Sequence, residues 1–200
     1  MSKNEQIANC IVNIDGKVLT SPELLSRFGE VKIFRVEISN TRTSGKEDLF
    51  YLNYSSKSGV VLHKGDFINV KGDIRTVNDK TGKYIIDSYI YSDCIEILSE
   101  EPESYTNNVE IENAFLEEFV DFRKAYNDPT KDVSNYKISL YRGHNRISYF
   151  RVTSWCNDAI TIANIKDSVE YFTLKGRLEG FTSKTSGKYI LSIITYSLAC

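Results

Sequence analysis

The stretch Tyr149-Phe150-Arg151-Val152-Thr153-Ser154-Trp155 places two large rings and a guanidinium at every second position. In an extended strand successive side chains point to opposite faces. Tyr149, Arg151, Thr153 and Trp155 then share one surface, with Phe150 and Val152 behind it. An aromatic, a cation and a second aromatic in a row offer flat π faces for stacking bases and a charge for the phosphates between them. The same residues also suit a half-buried tryptophan packed on a following helix, and both readings stay open. Just upstream, Arg142-Gly143-His144-Asn145-Arg146 is a basic loop, either solvated or a phosphate clamp.

The elements that must hold this row come from a repeat. Val70-Lys71-Gly72-Asp73-Ile74-Arg75, a polar turn and Gly82-Lys83-Tyr84-Ile85-Ile86 return as Leu174-Lys175-Gly176-Arg177-Leu178-Glu179, a turn and Gly187-Lys188-Tyr189-Ile190-Leu191. Ser92 and Ser197 follow the two tyrosines at the same distance. The copies differ by one residue in the turn, where an insertion costs little because loop closure depends weakly on length. Two matching phrases about 105 residues apart mean one domain in tandem. Each phrase alternates apolar and polar residues around a turn and reads as a hairpin. Tyr84 and Tyr189 fit either a stacking pair or a repeated packing residue. Lys71 and Lys175 fit phosphate contacts or mere flanks of a glycine bend.

Thirteen tyrosines, ten phenylalanines and a single methionine lean toward β structure. No apolar stretch approaches the roughly 20 residues of a membrane span, and the polar segment 1–9 lacks the apolar core of a signal peptide. Cys10, Cys94, Cys156 and Cys200 form no CxxC pair, which points to reduced, cytosolic thiols. His63 and His144 fall in different repeats, so no metal site is expected. The net charge of −2 divides into 0 over residues 1–98, −3 over 99–107 and +1 over 108–200. Long-range steering of a polyanion must be weak, and any nucleic-acid contact has to come from local basic faces and stacking.

In order along the chain, the sequence predicts a strand from Ile11 interrupted at Asp15-Gly16, a break at Ser21-Pro22 and a turn at Gly29. Strands follow at Val31 to Ile38, Asp48 to Tyr54 and Phe67 to Val70, then the first hairpin. Ser99 to Ser104 is an acidic linker that Pro102 keeps irregular, read as a solvated spacer. In the second repeat Phe115 to Tyr126 fits a helix or a strand, with the strand favoured. Asn127-Asp128-Pro129 is a turn, Tyr136 to Tyr141 and Ser148 to Trp155 are strands, and Asp158 to Lys166 is a short helix. A strand from Val169 to Leu174 leads into the final hairpin. Five strands per repeat is the count of a Greek-key OB-fold barrel, with Gly72 and Gly176 at strand bends. The expected architecture is all-β: two tandem OB-fold barrels, 1–98 and 108–200, joined by the linker 99–107.

The second repeat resembles the bacterial single-stranded DNA-binding proteins. Tyr149-Phe150-Arg151-Val152-Thr153-Ser154-Trp155, Ala159 after it, and Leu174-Lys175-Gly176-Arg177-Leu178 follow that family's order of aromatic, Arg-Val, aromatic, short helix and Gly-containing hairpin. Asn108-Val109 and Asn9-Cys10-Ile11 match its opening strand. The resemblance implies that the family's stacking aromatics fall on Tyr149 and Trp155. It implies a strand path over Arg142, Arg146, Arg151, Lys175, Arg177, Phe181, Lys184, Lys188 and Tyr189. In the first repeat the path would use Arg35, Arg42, Lys46, Tyr51, Lys71, Arg75, Lys80, Lys83 and Tyr84. Two departures stand out. Ser55 occupies the place of Trp155 in the first repeat, which makes a poorer platform. The chain also stops at Leu198-Ala199-Cys200, where the family carries a flexible tail with an acidic tip, so recruitment through such a tail is not expected.

No nucleophile–base pair, carboxylate cluster or Gly-rich phosphate loop stands out, so no catalytic residue, metal or cofactor is expected. The implied function is non-enzymatic binding and protection of single-stranded DNA in replication, recombination or repair. The implied partners are single-stranded DNA or RNA, a second copy in a homodimer, and replication proteins, in a cytoplasm of bacterial, plasmid or phage origin. The alternative is a tandem-OB protein-interaction module of a replication or mobile-element complex.

Overall fold

Runs of β-branched and aromatic residues with period-two burial make up most of this chain, and they close on themselves twice. The computed structural model describes residues 6–80, 85–144, 146–167, 171–183 and 187–199. The first half contains β1 (Asn9–Val18), β2 (Glu23–Phe28), β3 (Val31–Thr41), β4 (Glu47–Ser55), β5 (Phe67–Asn78) and β6 (Ile85–Ile97). β1 pairs with β5 from Val12 to Lys17 and with β3 at Lys17 and Val18. β3–β4 and β5–β6 are antiparallel, and β4–β6 is a parallel pair that closes the circuit. The second half repeats this with β7 (Asn107–Ala125), β8 (Asp128–Tyr141), β9 (Ile147–Trp155), β10 (Tyr171–Thr182) and β11 (Tyr189–Ala199), closed by the parallel pair β9–β11. Two five-stranded barrels of OB topology result.

The barrels are fused edge to edge. β1 and β7 pair antiparallel from Asn9 opposite Glu112 to Ile14 opposite Asn107, so all eleven strands form one sheet. The buried apolar residues form one connected cluster through both barrels, among them Ile14, Val70 and Ile90 in the first and Ile111, Phe150 and Leu178 in the second. The recurring glycines are required by close approach. A Cβ on Gly72 would lie 2.4 Å from the Tyr91 carbonyl oxygen, and one on Gly176 2.3 Å from that of Ile194. Both glycines sit at register shifts that bend their strands.

Several local expectations change. Glu23–Phe28 forms an added strand, β2, paired only to β3; its three exposed apolar side chains, Leu24, Leu25 and Phe28, hide the alternation that would have announced it. Residues 115–125 continue β7 as strand, as favoured, through three register irregularities. The turn expected at Asn127-Asp128-Pro129 closes earlier, at 126–127, and β8 already starts at Asp128. The helix α1 spans Cys156–Ile165, two residues ahead of its expected start. In the first barrel a single 3-10 turn, Ser56–Ser58, takes the helix's place. The linker is pinned at its end: Thr106 N–H donates to Asp15 Oδ2 at 2.7 Å, and its carbonyl accepts from the Asp15 N–H and Asn40 Nδ2. No helix among the described residues is long and apolar enough to cross a membrane.

Candidate nucleic-acid interface

Period-two burial on β9 puts Ser148, Phe150, Val152 and Ser154 in the barrel and turns Tyr149, Arg151, Thr153 and Trp155 outward. Trp155 is 40% exposed and caps the start of α1, so its ring is a surface rather than a core element. It borders a recess of about 340 Å³ together with Arg123, Tyr126 and Lys131. β8 supplies a second cation. Lys137 lies opposite Arg151, and its Nζ stands 4.7 Å from the Tyr149 ring centroid. Burial first, and the nearby Glu117 second, raise the Tyr149 pKa, so the ring stays a neutral phenol. Thr153 Oγ1 donates to Asn135 Oδ1 at 2.9 Å, which stiffens the row between its two rings.

One end of this row runs into an open cleft between the barrels. The β8–β9 turn is held by Arg142 N–H donating to Arg146 O at 2.9 Å, with Gly143 and His144 left-handed. The turn leans over the β5–β6 ribbon of the first barrel. Arg142 Nη1 donates to Asp73 Oδ2 and Nη2 to Ile74 O, both at 2.5 Å. Tyr149 N–H donates to Thr76 Oγ1 at 3.1 Å, and Asn78 Nδ2 to Ile147 O at 2.9 Å. These contacts form the walls of a space of about 740 Å³, within the roughly 300–1,000 Å³ range of ligand clefts. Arg75, Lys80 and Tyr89 reach it from the first barrel, and Arg142, Arg146 and Tyr149 from the second.

The equivalent meeting of turn and hairpin on the other side is filled. The β3–β4 turn is closed by the equivalent bond, Arg42 N–H donating to Lys46 O at 2.9 Å, with Gly45 left-handed. Arg42 binds Asp48 in a fork and also Glu179 of the β10–β11 hairpin, all at 2.5 Å; Lys46 reaches Glu179 at 3.2 Å. These carboxylates, Asp48 foremost, raise the Arg42 pKa. Arg177 lies 3.7 Å from Asp48 and has its pKa lowered by burial and by Arg42 beside it. Tyr189 donates its hydroxyl to Leu49 O at 3.0 Å and sets its ring edge-on to Tyr51, centroids 4.6 Å apart. Burial raises its pKa strongly. A Cβ on Gly180 would meet Leu49 O at 2.0 Å.

The sequence-derived residues thus separate into groups. Tyr149, Arg151 and Trp155 share a surface, and Arg142, Arg146 and Arg75 join it at the open cleft. Arg42, Arg177 and Tyr189 belong to the filled cleft, where Arg42 and Tyr189 are hydrogen-bonded and Arg177 Nη1 is buried 3.7 Å from Asp48 without a hydrogen bond. Lys71 and Lys175 lie on the outer face of the fused sheet, Lys71 opposite Asn13 and Lys175 2.8 Å from Glu110. Phe181 and Lys188 are exposed on the β10–β11 hairpin. Lys83, Tyr84 and Lys184 lie outside the described residues. In the first barrel, Arg35 lies 4.9 Å from the Tyr51 ring centroid and 5.5 Å from that of Tyr89, and it pairs with Asp87. Arg75 stands 3.9 Å from the Tyr91 centroid. Ser55, the counterpart of Trp155, caps the 3-10 turn.

Sequence reasoning missed Tyr89, Tyr91 and Lys137. The two tyrosines were legible: Asp87, Tyr89, Tyr91 and Asp93 alternate along β6 as cleanly as the row on β9. Lys137 becomes visible only through the β8–β9 register, which no local pattern announces.

No family model and no curated protein matches this chain. Among solved structures, a deletion and substitution variant of the single-stranded DNA-binding protein from Thermus aquaticus is similar with a TM-score of 0.71 at 16% identity, covering 96% of this chain and 94% of that one. The wild-type form of that protein gives a TM-score of 0.67 at 17% identity, covering 96% and 93%. The similarity extends over both barrels and their junction, and two OB barrels fused in tandem, as in the Thermus single-stranded DNA-binding protein, are therefore the fold of this chain.

Proposed function

We propose that the chain binds single-stranded DNA without catalysis, serving replication, recombination or repair, and that it does so on the outward face of β8 and β9. The observation that carries this reading is the row Tyr149, Arg151 and Trp155, turned to solvent with Lys137 alongside. Rings spaced along an exposed strand accept bases irrespective of sequence, because every base has a π face, and each stacked base contributes about 1–3 kcal/mol. The cations between the rings meet the phosphates. The similar Thermus aquaticus protein is described as a single-stranded DNA-binding protein, which supports the same use of the fold. We further propose that residues 1–98 and 108–200 are the two units, with 99–107 between them; the strand limits at Ile97 and Asn107 support that division.

Trp155 is the chain's one tryptophan, so its emission reports on this face directly. Titration with oligo-dT at low salt should quench it and raise anisotropy. Affinity should fall with salt along a shallow slope, since few phosphates are neutralised. Unchanged emission and anisotropy would remove this reading. A parallel oligo-U series sets the preference between DNA and RNA. A second reading, a protein-interaction module, draws on the exposed apolar side chains Val120 and Phe122 on the β7–β8 arm. It would be favoured by a stoichiometric protein partner that DNA does not displace.

A further inference from the structure

We infer that the open cleft is the place where a bound strand crosses from one barrel to the other, with a backbone phosphate held between Arg75 and Arg146 and a neighbouring base on Tyr89 or Tyr149. This rests on the strand-binding reading and adds its route. The argument comes from the filled cleft, which is built from the same parts. At the filled cleft the hairpin presents Glu179, and this one carboxylate takes both basic residues of the facing turn, Arg42 and Lys46. The repeated hairpin phrase puts Arg75 at the position of Glu179. The turn opposite it still carries two arginines, Arg142 and Arg146, in the places of Arg42 and Lys46.

The counter-charge that fills one cleft is therefore a like charge in the other, while the acid Asp73 stands where the filled cleft has Arg177. Asp48, the second acid of the filled cleft, is replaced by Ser148. Asp73 alone serves the arginines described on the open side, and its Oδ2 is shared by Arg142 at 2.5 Å and Arg75 at 3.4 Å. Arg146 has no acidic partner among the described residues, and neither has Lys80. Four cations against Asp73 and Asp79 give the walls of a 740 Å³ space a surplus of two positive charges, which favours an anion. The rings beside that space decide which anion fits. Tyr149 stands where the filled cleft has Leu49, and Tyr89 faces it from the first barrel. A nucleotide unit supplies both a phosphate for the arginines and a flat ring for the tyrosines. The cleft is also continuous with the β9 row through Tyr149, so a strand leaving Trp155 along β9 arrives there.

The test compares two lengths of oligo-dT on the intact chain, read by Trp155 emission: one of about 8 nucleotides that covers a single barrel face, and one of about 25 that must cross, given roughly 4–16 nucleotides per OB fold. Arg146→Ala and Lys80→Ala, singly and combined, are exposed changes that break no described ion pair. The combined variant should bind the long oligo about tenfold more weakly and with a salt slope lower by about one to two units, while short-oligo affinity is unchanged. Lys46→Ala, at the filled cleft, should alter neither. Long-oligo affinity within about twofold of wild type, or equal losses on both lengths, overturns the crossing while leaving strand binding intact. Displacement of the long oligo by thymidine monophosphate at equal nucleotide concentration also overturns it, since that marks a pocket for free nucleotides. A wild-type chain that responds to neither oligo removes the strand-binding reading itself, and the crossing with it.

Discussion

On one flank of the fused barrels the β3–β4 turn meets the β10–β11 hairpin, and on the opposite flank the β8–β9 turn meets the β5–β6 ribbon. The backbones correspond: each turn begins with an arginine whose N–H bonds back to the basic residue four positions on, Lys46 or Arg146. Each arginine then reaches a carboxylate on the facing hairpin, Arg42 to Glu179 and Arg142 to Asp73. Among the side chains that differ around that shared pair, Glu179, Arg177, Gly180, Asp48 and Leu49 on the first flank stand against Arg75, Asp73, Thr76, Ser148 and Tyr149 on the second. Glu179 and Asp48 hold Arg42 on the first flank and Gly180 admits the Leu49 carbonyl; on the second, Thr76 and Ser148 bond across the junction while Arg75 faces the open cleft beside them. A fused tandem repeat is thus free to specialise its two junctions separately, which a symmetric pair of identical chains is not. Two exchanges of sign on the hairpin, Glu179 against Arg75 and Arg177 against Asp73, together with the loss of an acid on the facing strand, Asp48 against Ser148, turn a salt-bridged seam into a cationic opening.

The largest effect expected from breaking this contrast is at Gly180. Its Cβ position lies 2.0 Å from Leu49 O, which is backbone and cannot swing away. Gly180→Ala should force the seam apart and cost about 1–3 kcal/mol of stability, as overpacking does, read as a lowered denaturant midpoint. A variant as stable as wild type would mean that the two flanks are not packed differently. Next comes the ring at the mouth of the open cleft. Tyr149→Ala should weaken oligo-dT binding by about 1–3 kcal/mol, the contribution of one stacked base. Leu49→Ala, the same position on the other flank, should leave binding unchanged. Equal effects in binding assays would erase the functional difference between the flanks.

Much of the fold was legible because it depends on local period and on self-similarity. The repeated Lys-Gly phrases located both hairpins, and alternation gave the correct outward face of β9. The strand Glu23–Phe28 was harder. β2 is an edge strand whose apolar side chains stay exposed, so burial never imposed an alternating pattern on it. The site was legible only in part. Arg42 and Arg177 read from the sequence as cations for phosphate, yet the acids that meet them stand elsewhere in the chain: Glu179 lies 137 residues from Arg42, and Asp48 belongs to the opposite barrel from Arg177. Such pairings depend on how the barrels dock, which the β1–β7 register decides. The swap of Arg75 for Glu179 was visible in the aligned phrases, but its meaning required knowing what each faces.

A smaller effect is expected at Thr76, the open-side counterpart of Gly180. Its hydroxyl accepts the Tyr149 N–H at 3.1 Å, and its own N–H reaches Ser148 Oγ at 3.4 Å. Thr76→Ala removes the first bond, and with it the weaker one its hydroxyl donates to Asn78 Oδ1 at 3.3 Å, and keeps the second. A loss of about 1 kcal/mol is expected for one such hydrogen bond, again as a shift in denaturant midpoint. Because the Tyr149 backbone is released, oligo-dT affinity should drop slightly as well. A stability loss as large as that of Gly180→Ala would show the open side to be packed as tightly as the seam.

The smallest effect is a pH dependence confined to the filled flank. Burial tends to raise the Glu179 pKa, but the hydrogen bonds from Arg42 and Lys46 outweigh it and hold the carboxyl below the usual glutamate range. A carboxyl whose pKa is depressed on folding binds a proton more readily in the unfolded chain. The stability it contributes is therefore fully present above the unfolded value, about 4.3, and is lost as pH falls through the lower folded value. Glu179→Gln removes that dependence. Wild type should be more stable than the variant at neutral pH by roughly 0.2–1 kcal/mol, the scale of ion pairs near a surface, with the gap narrowing as the pH is lowered below that unfolded value. Other carboxylates titrate in the same window, so the quantity to follow is the difference between the two midpoints and not either curve alone. A gap that stays constant with pH would mean that Glu179 closes the seam by shape rather than by charge. The sign exchange with Arg75 would then not be what separates the two flanks.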